Sequence, residues 1–303
     1  MQPVLLTDNL TKRYGNTAAV DRIRLRIEEG EVYGFLGPNG AGKTTTLKML
    51  VGLIQPTEGT FTVFGRTFAQ HRRWILSQTG ALIESPSYYG HLTGRENLRI
   101  IQRLRGLPER NVSEALRVVR LEKHQHKRVD QYSLGMKQRL GLAMALISFP
   151  KLLILDEPTN GLDPAGIEEI RELIRSLPRQ YGMTVLVSSH LLSEVEQIAT
   201  SVGIIRDGRL VFQGSLDSLK AKSDPAIAVK TTDNLAAERV LAGQGLKPKE
   251  RGGYLTLPDM EDRQVAEVNR TLVRAGIGVI RIEERKKSLE RIFLELTGKG
   301  DHR

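Results

Sequence analysis

Cysteine is absent from the 303 residues of the chain. Its absence excludes a disulfide framework, a thiolate metal site and a cysteine nucleophile, and it favours a reducing compartment. Aromatic residues make up only 5% of the sequence, so there is no evident row of rings on which a single-stranded nucleic acid could stack its bases. No apolar run reaches the roughly 18–20 residues of a membrane-spanning helix. Residues 1–8 also lack the basic start and apolar stretch of a signal peptide.

Basic side chains outnumber acidic ones, which gives the chain a formal net charge of +10. Two classes of anionic partner fit this excess, nucleic acid and the surface of an anionic membrane. An ordinary solvated surface rich in lysine and arginine accounts for it equally well. The charge therefore leaves the partner open, and the function has to be inferred from motifs.

A glycine-rich run lies between an apolar segment, Val32–Leu36, and a segment of helix-forming residues, Thr46–Leu50. This order of strand, loop and helix is what the phosphate-binding pattern G-x-x-x-x-G-K-[ST] requires. The run consists of Gly37, Pro38, Asn39, Gly40, Ala41, Gly42, Lys43, Thr44 and Thr45.

Each part of this run has a physical role in binding a polyphosphate. Glycine lets the backbone wrap closely round the phosphates, and the first N–H groups of the following helix point at the same anion. Lys43 can reach the β and γ phosphates, and the Thr44 hydroxyl can take one position on Mg²⁺. A glycine turn that binds nothing is the structural alternative. The lysine, the threonine and both flanks favour a nucleoside triphosphate site.

Two further apolar segments, Lys151–Leu155 and Thr184–Ser189, are predicted to be parallel strands covered on both faces. The first runs into Asp156 and Glu157, and the second runs into His190. Ligands bind at the carboxyl edge of such sheets. There, one carboxylate can hold Mg²⁺ while the other polarises the attacking water. His190 could stabilise charge near the γ-phosphate, although a lone histidine is often structural.

The periodicity of apolar residues predicts two domains of different size. Residues 1–222 are expected to form an α/β core, with antiparallel strands in residues 4–30 and an all-helical insertion at about residues 90–150. Residues 223–303 are expected to form a small C-terminal α+β accessory domain with three strands and three helices. The predicted fold class is therefore α/β, a P-loop NTPase core with an antiparallel β subdomain and a helical insertion.

The segment Tyr132–Arg139 begins a further helix and is a second candidate for anion binding through the helix dipole. With this segment, the order of motifs resembles that of the ATP-binding subunits of ABC transporters. The resemblance covers roughly residues 3–218. The motifs that carry it are Gly37–Thr45, Ser133–Arg139, Leu152–Glu157, Gly161–Asp163 and His190.

The resemblance implies that the nucleotide is ATP, and it assigns roles to the matching positions. Those roles are Tyr14 stacked on adenine, Gly37–Thr45 as the Walker A loop, Asp156 as the Walker B aspartate, Glu157 as the catalytic base, His190 as the switch histidine, Asp163 in the D-loop, and Ser133 and Gly135 in the nucleotide-binding signature.

Two positions depart from the family pattern. The usual signature Leu-Ser-Gly-Gly-Gln is replaced by Tyr132–Met136, and the Q-loop glutamine is replaced by Glu84. A hard cation favours carboxylate oxygens, so Glu84 is predicted to be a third Mg²⁺ ligand beside Thr44 and Asp156. A charge directed at solvent or at a permease lysine is the alternative for Glu84.

We therefore expect an ATP-hydrolysing subunit that docks on a separate membrane-spanning permease, at the cytoplasmic face of the cell membrane. Both departures resemble the subgroup that handles bacitracin, lantibiotics and similar peptides, which implies export of a drug or antimicrobial peptide. In the family geometry a signature helix cannot reach its own P-loop. A second ATPase subunit, expected to be an identical chain, then completes each site.

One alternative function belongs to a different class. A soluble, non-transport ABC ATPase acting on nucleic acid or the ribosome would suit the basic charge. Such proteins usually carry two tandem cassettes or a long coiled-coil insertion, whereas this chain has one P-loop and an insertion without sustained heptads. No nucleic-acid partner is therefore expected. A P-loop GTPase or kinase is disfavoured because the Asn-Lys-x-Asp motif is missing and the signature segment is present.

Overall fold

The computed structural model of the protein describes residues 3–221, 226–285 and 289–298. The chain divides into two compact units, Met1–Leu216 together with Glu295–Arg303, and Asp217–Leu294. The predicted boundary between residues 222 and 223 lies in a stretch outside the described residues. Across the described ranges no helix combines the length and the apolarity that crossing a bilayer demands.

The elements up to residue 215 belong to the first unit. In chain order they are β1 (Pro3–Tyr14), β2 (Thr17–Ile23), β3 (Arg26–Glu28), β4 (Val32–Leu36), α1 (Lys43–Leu50), β5 (Glu58–Val63), β6 (Arg66–Thr67), α2 (Phe68–Ser77), β7 (Thr79–Leu82), α3 (Gly94–Leu104), α4 (Arg110–Val118), two 3₁₀ helices (Glu122–His124 and Val129–Gln131), α5 (Leu134–Leu146), β8 (Leu152–Asp156), α6 (Pro164–Tyr181), β9 (Thr184–Ser189), α7 (Leu192–Ile198), β10 (Ser201–Arg206) and β11 (Arg209–Ser215).

A six-stranded sheet with the order β11-β10-β4-β9-β8-β7 forms the centre of this unit. All neighbours run parallel except β11, which is antiparallel to β10. Every residue of β4, β8 and β9 is buried, as predicted for strands covered on both faces. The carboxyl ends of β4, β9 and β8 consequently meet at one edge, where the chain continues into Gly37, His190 and Glu157.

The two faces of this sheet contribute to different cores. Leu153 and Leu155 of β8 belong to a buried cluster that includes residues of α5 and α6. Leu152 and Ile154 belong to a second cluster with residues of α1 and of the amino-terminal strands. Successive side chains of a strand point to opposite faces, so β8 is anchored from both sides directly before its acidic end.

The amino-terminal strands form a second, antiparallel sheet, which confirms the alternation predicted in residues 4–30. Its order is β2-β1-β5-β6, and β3 also pairs with β1. β1 therefore pairs with three strands of this sheet. Tyr14 is the last residue of β1 and pairs with Thr17 across the turn that follows.

The helices α3, α4 and α5 form an all-helical insertion between β7 and β8, as predicted for residues 90–150. The Thr93 hydroxyl accepts the Glu96 N–H, and the Glu96 carboxylate accepts the Thr93 N–H, so that a capping box begins α3. At the start of α5, the Ser133 side chain accepts the Met136 N–H. A serine of the signature segment thus fixes where the signature helix begins.

The remaining elements follow in chain order. They are α8 (Leu216–Lys220), β12 (Ala226–Thr231), α9 (Asn234–Ala242), β13 (Lys249–Arg251), β14 (Tyr254–Pro258), α10 (Asp262–Arg274), β15 (Val279–Arg285) and α11 (Leu289–Leu296).

Within the second unit, β12–β15 form an antiparallel sheet with the order β13-β14-β12-β15. One face of the sheet lies in a buried cluster that includes Val229, Leu255, Leu241 of α9 and Leu272 of α10. The predicted strands and helices of this region are confirmed, and β13 is an additional strand. The sequence signal for β13 is the glycine pair after Arg251, because both glycines have positive φ in the turn of a hairpin.

Candidate nucleotide-binding site

The glycine-rich run leads from β4 into α1. Gly40 and Gly42 have φ values of +80° and +105°, which favour glycine. A Cβ on Gly42 would lie 2.4 Å from the carbonyl oxygen of Ala19. Helix α1 begins at Lys43, and no side chain caps its amino-terminal end. Its first N–H groups are therefore not occupied by a capping side chain. This geometry is the one predicted for a phosphate-binding loop.

The side chain of Lys43 is almost entirely buried, with 6% of its surface exposed. Its Nζ donates to the Gly37 carbonyl oxygen at 2.8 Å. The same Nζ lies 3.3 Å from Oε1 of Glu157. A buried ammonium group is tolerated only where acceptors and opposite charge surround it. The lysine of the P-loop and the acidic end of β8 therefore form one charged pair.

Asp156 connects the P-loop helix to the sheet. Thr44 Oγ1 donates to Asp156 Oδ2 at 2.8 Å, and Ser188 Oγ donates to Asp156 Oδ1 at 2.6 Å. Ser188 Oγ also accepts the backbone N–H of Glu157 at 3.0 Å. Both oxygens of this buried carboxylate are therefore held in place. Neighbouring hydroxyl and carboxylate oxygens are ligands that Mg²⁺ prefers, so Thr44 and Asp156 fit that cation.

Sequence reasoning does not single out Ser188 as a site residue. It lies two positions before His190, at the end of β9, and is completely buried. The available signal is weak, because Ser188 is one of three hydroxyl residues in Thr184–Ser189, and only the pairing of β8 with β9 shows what it contacts.

Glu157 follows β8 with a φ of +48°, a region that a glutamate seldom occupies. Its Oε2 lies 2.7 Å from Nδ1 of His190. Both side chains line a cleft of about 350 Å³ together with Lys43 and Thr44. Asn160, which sequence reasoning does not single out, lines the same cleft. The structure thus brings the P-loop, the acidic strand end and the histidine together, as predicted.

Glu84 is placed apart from the other predicted Mg²⁺ ligands. Its carboxylate lies 2.6 Å from Nζ of Lys48 and is 63% exposed. Its backbone has a φ of +60°. Lys48 lies on α1, one helical turn beyond Thr44. The structure therefore brings Thr44 and Asp156 together and pairs Glu84 with a lysine of the same helix.

Tyr14 is exposed at the end of β1, with 55% of its surface accessible. The Nζ of Lys12 lies 5.3 Å from the centre of its ring. Tyr14 is not among the residues that line the cleft of Lys43 and Glu157. An exposed ring of this kind is available for stacking.

The signature residues lie in a different cleft. Ser133 and Gly135 line a cleft of about 470 Å³ together with Asp163. Asp163 is the N-cap of α6 and accepts the Gly166 N–H at 3.1 Å. Ser133, Gly135 and Asp163 do not line the cleft of the P-loop. The chain thus presents two separate surfaces, one with the P-loop and one with the signature segment.

Comparison with known proteins identifies this arrangement. The family described as ABC transporter matches residues 20–160. The bacitracin transport ATP-binding protein BcrA of Bacillus licheniformis is 42% identical over 99% of this chain and 99% of its own length. This chain belongs to the ABC transporter ATP-binding subunits.

Two further similarities agree with the ABC family. The lantibiotic transport ATP-binding protein SrtF of Streptococcus pyogenes is 43% identical over 71% of this chain and 92% of its own length. The ATP-binding cassette MJ0796, solved as a dimer in a post-hydrolysis state with ADP and Pi, is 25% identical. It superimposes with a TM-score of 0.63 over 70% of this chain and 98% of that chain.

As an ABC subunit, the protein binds and hydrolyses ATP and works with a membrane permease. The predicted family, fold class and enzymatic activity are confirmed. The dimeric cassette supports pairing of two ATPase subunits. The alternative of a non-transport ABC ATPase acting on nucleic acid or the ribosome is not favoured, because these curated relatives are transport subunits.

Proposed function

We propose that this ABC subunit powers the export of an antimicrobial peptide or other drug through a separate permease, at the cytoplasmic face of the membrane. The observation that carries the proposal is the 42% identity to BcrA over 99% of both chains. The similarity extends beyond the P-loop core and includes the second unit, Asp217–Leu294. Glu84 and the signature Tyr132–Met136 support the same subgroup.

In this proposal ATP is bound together with Mg²⁺. Thr44, Asp156 and Glu84 are the side chains that would hold the cation, and Glu84 would do so in place of its present contact with Lys48. When bound, the cation supplies charge neutralisation at the phosphate oxygens. The hydrogen bond between Thr44 and Asp156, at 2.8 Å, supports the placement of the first two ligands.

The other roles belong to residues of the cleft and its rim. Tyr14 stacks on the adenine, while the N–H groups of Gly37–Thr45 and the ammonium of Lys43 bind the phosphates. Glu157 takes a proton from the attacking water. His190, whose Nδ1 lies 2.7 Å from Oε2 of Glu157, orients that carboxylate.

A second copy of the chain completes each site in the proposed homodimer. The cleft that contains Ser133, Gly135 and Asp163 is separate from the cleft of the chain's own P-loop. A nucleotide bound at the P-loop therefore meets these residues from the partner copy. Closing and opening of the pair then drives the permease.

We also propose that residues 1–222 form the ATPase domain and that residues 223–303 form an accessory domain. The second unit has its own buried cluster, which supports an independent module. The proposed role of this module is regulation or support of the dimer.

Resistance of a sensitive bacterium tests the proposed cargo. The chain is expressed together with a candidate membrane-spanning permease, and survival is measured against bacitracin, a lantibiotic and unrelated drugs. Wild-type protein is expected to raise the inhibitory concentration several-fold for one peptide class, and Glu157→Gln to give no protection. Equal protection by both proteins would rule out ATP-driven export, and no protection against any compound would reject this cargo class.

A further inference from the structure

Glu194 is a buried carboxylate to which the proposed mechanism assigns no role. It lies in the first turn of α7 and is 6% exposed. In the described part of the chain no lysine or arginine forms an ion pair with it. A buried carboxylate is costly to desolvate, so without a cation it depends on the amino-terminal end of α7 and on hydrogen-bond donors. The donors that it uses show which segments it connects.

Two hydroxyl groups converge on a single oxygen of Glu194. Thr159 Oγ1 donates to Oε2 at 2.9 Å, and Ser189 Oγ donates to the same atom at 2.8 Å. Ser189 Oγ also accepts the N–H of Leu191 at 3.0 Å. Thr159 and Ser189 are 6% and 2% exposed, so water does not compete for these contacts.

The two hydroxyls come from the two segments that surround the proposed chemistry. Ser189 directly precedes His190, at the end of β9. Thr159 lies two residues after Glu157, and its carbonyl oxygen accepts the Leu162 N–H at 3.2 Å in the turn that leads to Asp163. Glu194 therefore joins the Asp163 turn to the histidine strand.

A second contact joins the same two segments. Oε2 of Glu157 lies 2.7 Å from Nδ1 of His190. If the turn between Thr159 and Asp163 moves, it shifts Glu157 through the backbone. It also shifts His190, through the hydrogen bonds of Glu194 and Ser189. Both halves of the Glu157–His190 pair then move together.

We propose that Glu194 is a positioning residue that couples the turn ending at Asp163 to His190. The proposal rests on the function above, in which Glu157 acts on water, His190 orients Glu157, and Asp163 meets the second subunit. Pairing of two subunits at Asp163 is thereby transmitted to the alignment of Glu157 and His190. Glu194 itself is not among the residues that line the cleft of Lys43 and Glu157.

The test removes one hydroxyl at a time in the full-length protein. Thr159→Val and Ser189→Ala each leave the carboxylate with one donor. Because a small misplacement of reacting groups is costly, each change is expected to lower kcat about tenfold, with KM for ATP within about twofold. The double variant is expected to match the single ones, since either change breaks the same connection.

Thr79→Val is the matched control. Thr79 is also buried, at 5% exposure, and donates to the Ile75 carbonyl oxygen at 2.9 Å at the start of β7. Thr79→Val removes a buried hydrogen bond that is not part of the Thr159–Glu194–Ser189 contacts. We therefore expect kcat to stay near wild type while the melting temperature falls as in the other variants. A kcat loss for Thr79→Val equal to that for Thr159→Val would overturn the proposal.

A conservative change at Glu194 gives a second readout. Glu194→Gln retains an acceptor oxygen for both hydroxyls and is expected to keep kcat within about threefold, whereas Glu194→Met is expected to lose about tenfold. The coupling would be rejected if Glu194→Gln and Glu194→Met lowered kcat equally. It would also be rejected if the kcat losses of Thr159→Val and Ser189→Ala multiplied in the double variant. Undiminished hydrolysis by Glu157→Gln would instead reject the proposed function on which it rests.

Discussion

Glu157 Oε1 lies 3.3 Å from Lys43 Nζ, so the proposed water-polarising carboxylate contacts the ammonium that is proposed to bind phosphate. The other carboxylate oxygen lies 2.7 Å from His190 Nδ1. Lys43 and Glu157 are 6% and 20% exposed, and salt screens buried pairs less than exposed ones. The two residues share a contact, yet their substitutions are expected to change different measurements.

Glu157→Gln is expected to keep ATP affinity and to lose turnover. The amide preserves the shape of the side chain but cannot take a proton, and loss of a general base typically lowers the rate about 10²–10⁴-fold. Steady-state hydrolysis and equilibrium binding of ATP, measured on the same preparation, separate the two effects. Turnover within about a factor of two of wild type would remove Glu157 from this role.

Lys43→Ala is expected to weaken nucleotide binding itself. The ammonium is the cation that the P-loop directs at the phosphates, and its removal also leaves the Glu157 carboxylate without its positive partner. Equilibrium dialysis with ATP measures the loss. Lys151→Ala, at an exposed lysine before β8, is the control and is expected to bind ATP like wild type. Unchanged affinity in Lys43→Ala would contradict the assignment of the loop.

Ser188→Ala is expected to weaken both the site and the fold. The change leaves a buried Asp156 oxygen and the Glu157 N–H without the hydroxyl that now serves both. An unsatisfied buried group costs about 1–3 kcal/mol of unfolding free energy.

The control for Ser188→Ala is Ser176→Ala on α6, at a half-buried serine outside the site whose hydroxyl donates to the Leu173 carbonyl oxygen at 2.8 Å. Urea denaturation and Mg²⁺-dependent ATP binding are measured for both variants. Loss of stability in Ser188→Ala with unchanged Mg²⁺ dependence would restrict Ser188 to a structural role.

The sequence predicts the P-loop and the strand ends well because each is carried by local pattern. A glycine loop between an apolar strand and a helix has few other interpretations, Asp156 follows the apolar run Leu152–Leu155, and His190 follows the predicted strand Thr184–Ser189. Parallel strands place their carboxyl ends at one edge. The sequence therefore predicts that Asp156, Glu157 and His190 lie at the same sheet edge as the P-loop, while the structure supplies the strand order that makes them neighbours of Lys43.

The contacts made by Ser188, Thr159 and Glu194 do not follow from local pattern. Each depends on which strand neighbours β8 and on how the turn after Glu157 packs against α7, and a single serine or glutamate carries no sign of either. The position of Glu84 is also set by a tertiary contact, because nothing in the segment around Glu84 indicates a pairing with Lys48 on α1.

The contact of Glu84 with Lys48 bears on its proposed role as an Mg²⁺ ligand. Both side chains are partly exposed, at 63% and 29%, and an exposed ion pair holds its partners weakly. The carboxylate is therefore free to exchange Lys48 for the cation, whose stronger charge favours a carboxylate oxygen over an amide oxygen. In the proposed site, a Glu84 carboxylate that had moved toward the γ-phosphate would be repelled as a like charge if the cation were absent.

Glu84→Gln is therefore expected to make ATP binding less dependent on Mg²⁺. Affinity for ATP is measured across an Mg²⁺ titration at fixed ionic strength, and wild type is expected to lose more affinity than Glu84→Gln when the cation is removed. Lys48→Gln is the matched variant, because it removes the partner of Glu84 and leaves the charge of Glu84 unchanged. Its ATP affinity is expected to depend on Mg²⁺ as steeply as that of wild type. Superimposable curves for wild type and Glu84→Gln would contradict the metal role, and Glu84 would then belong to the contact with the permease.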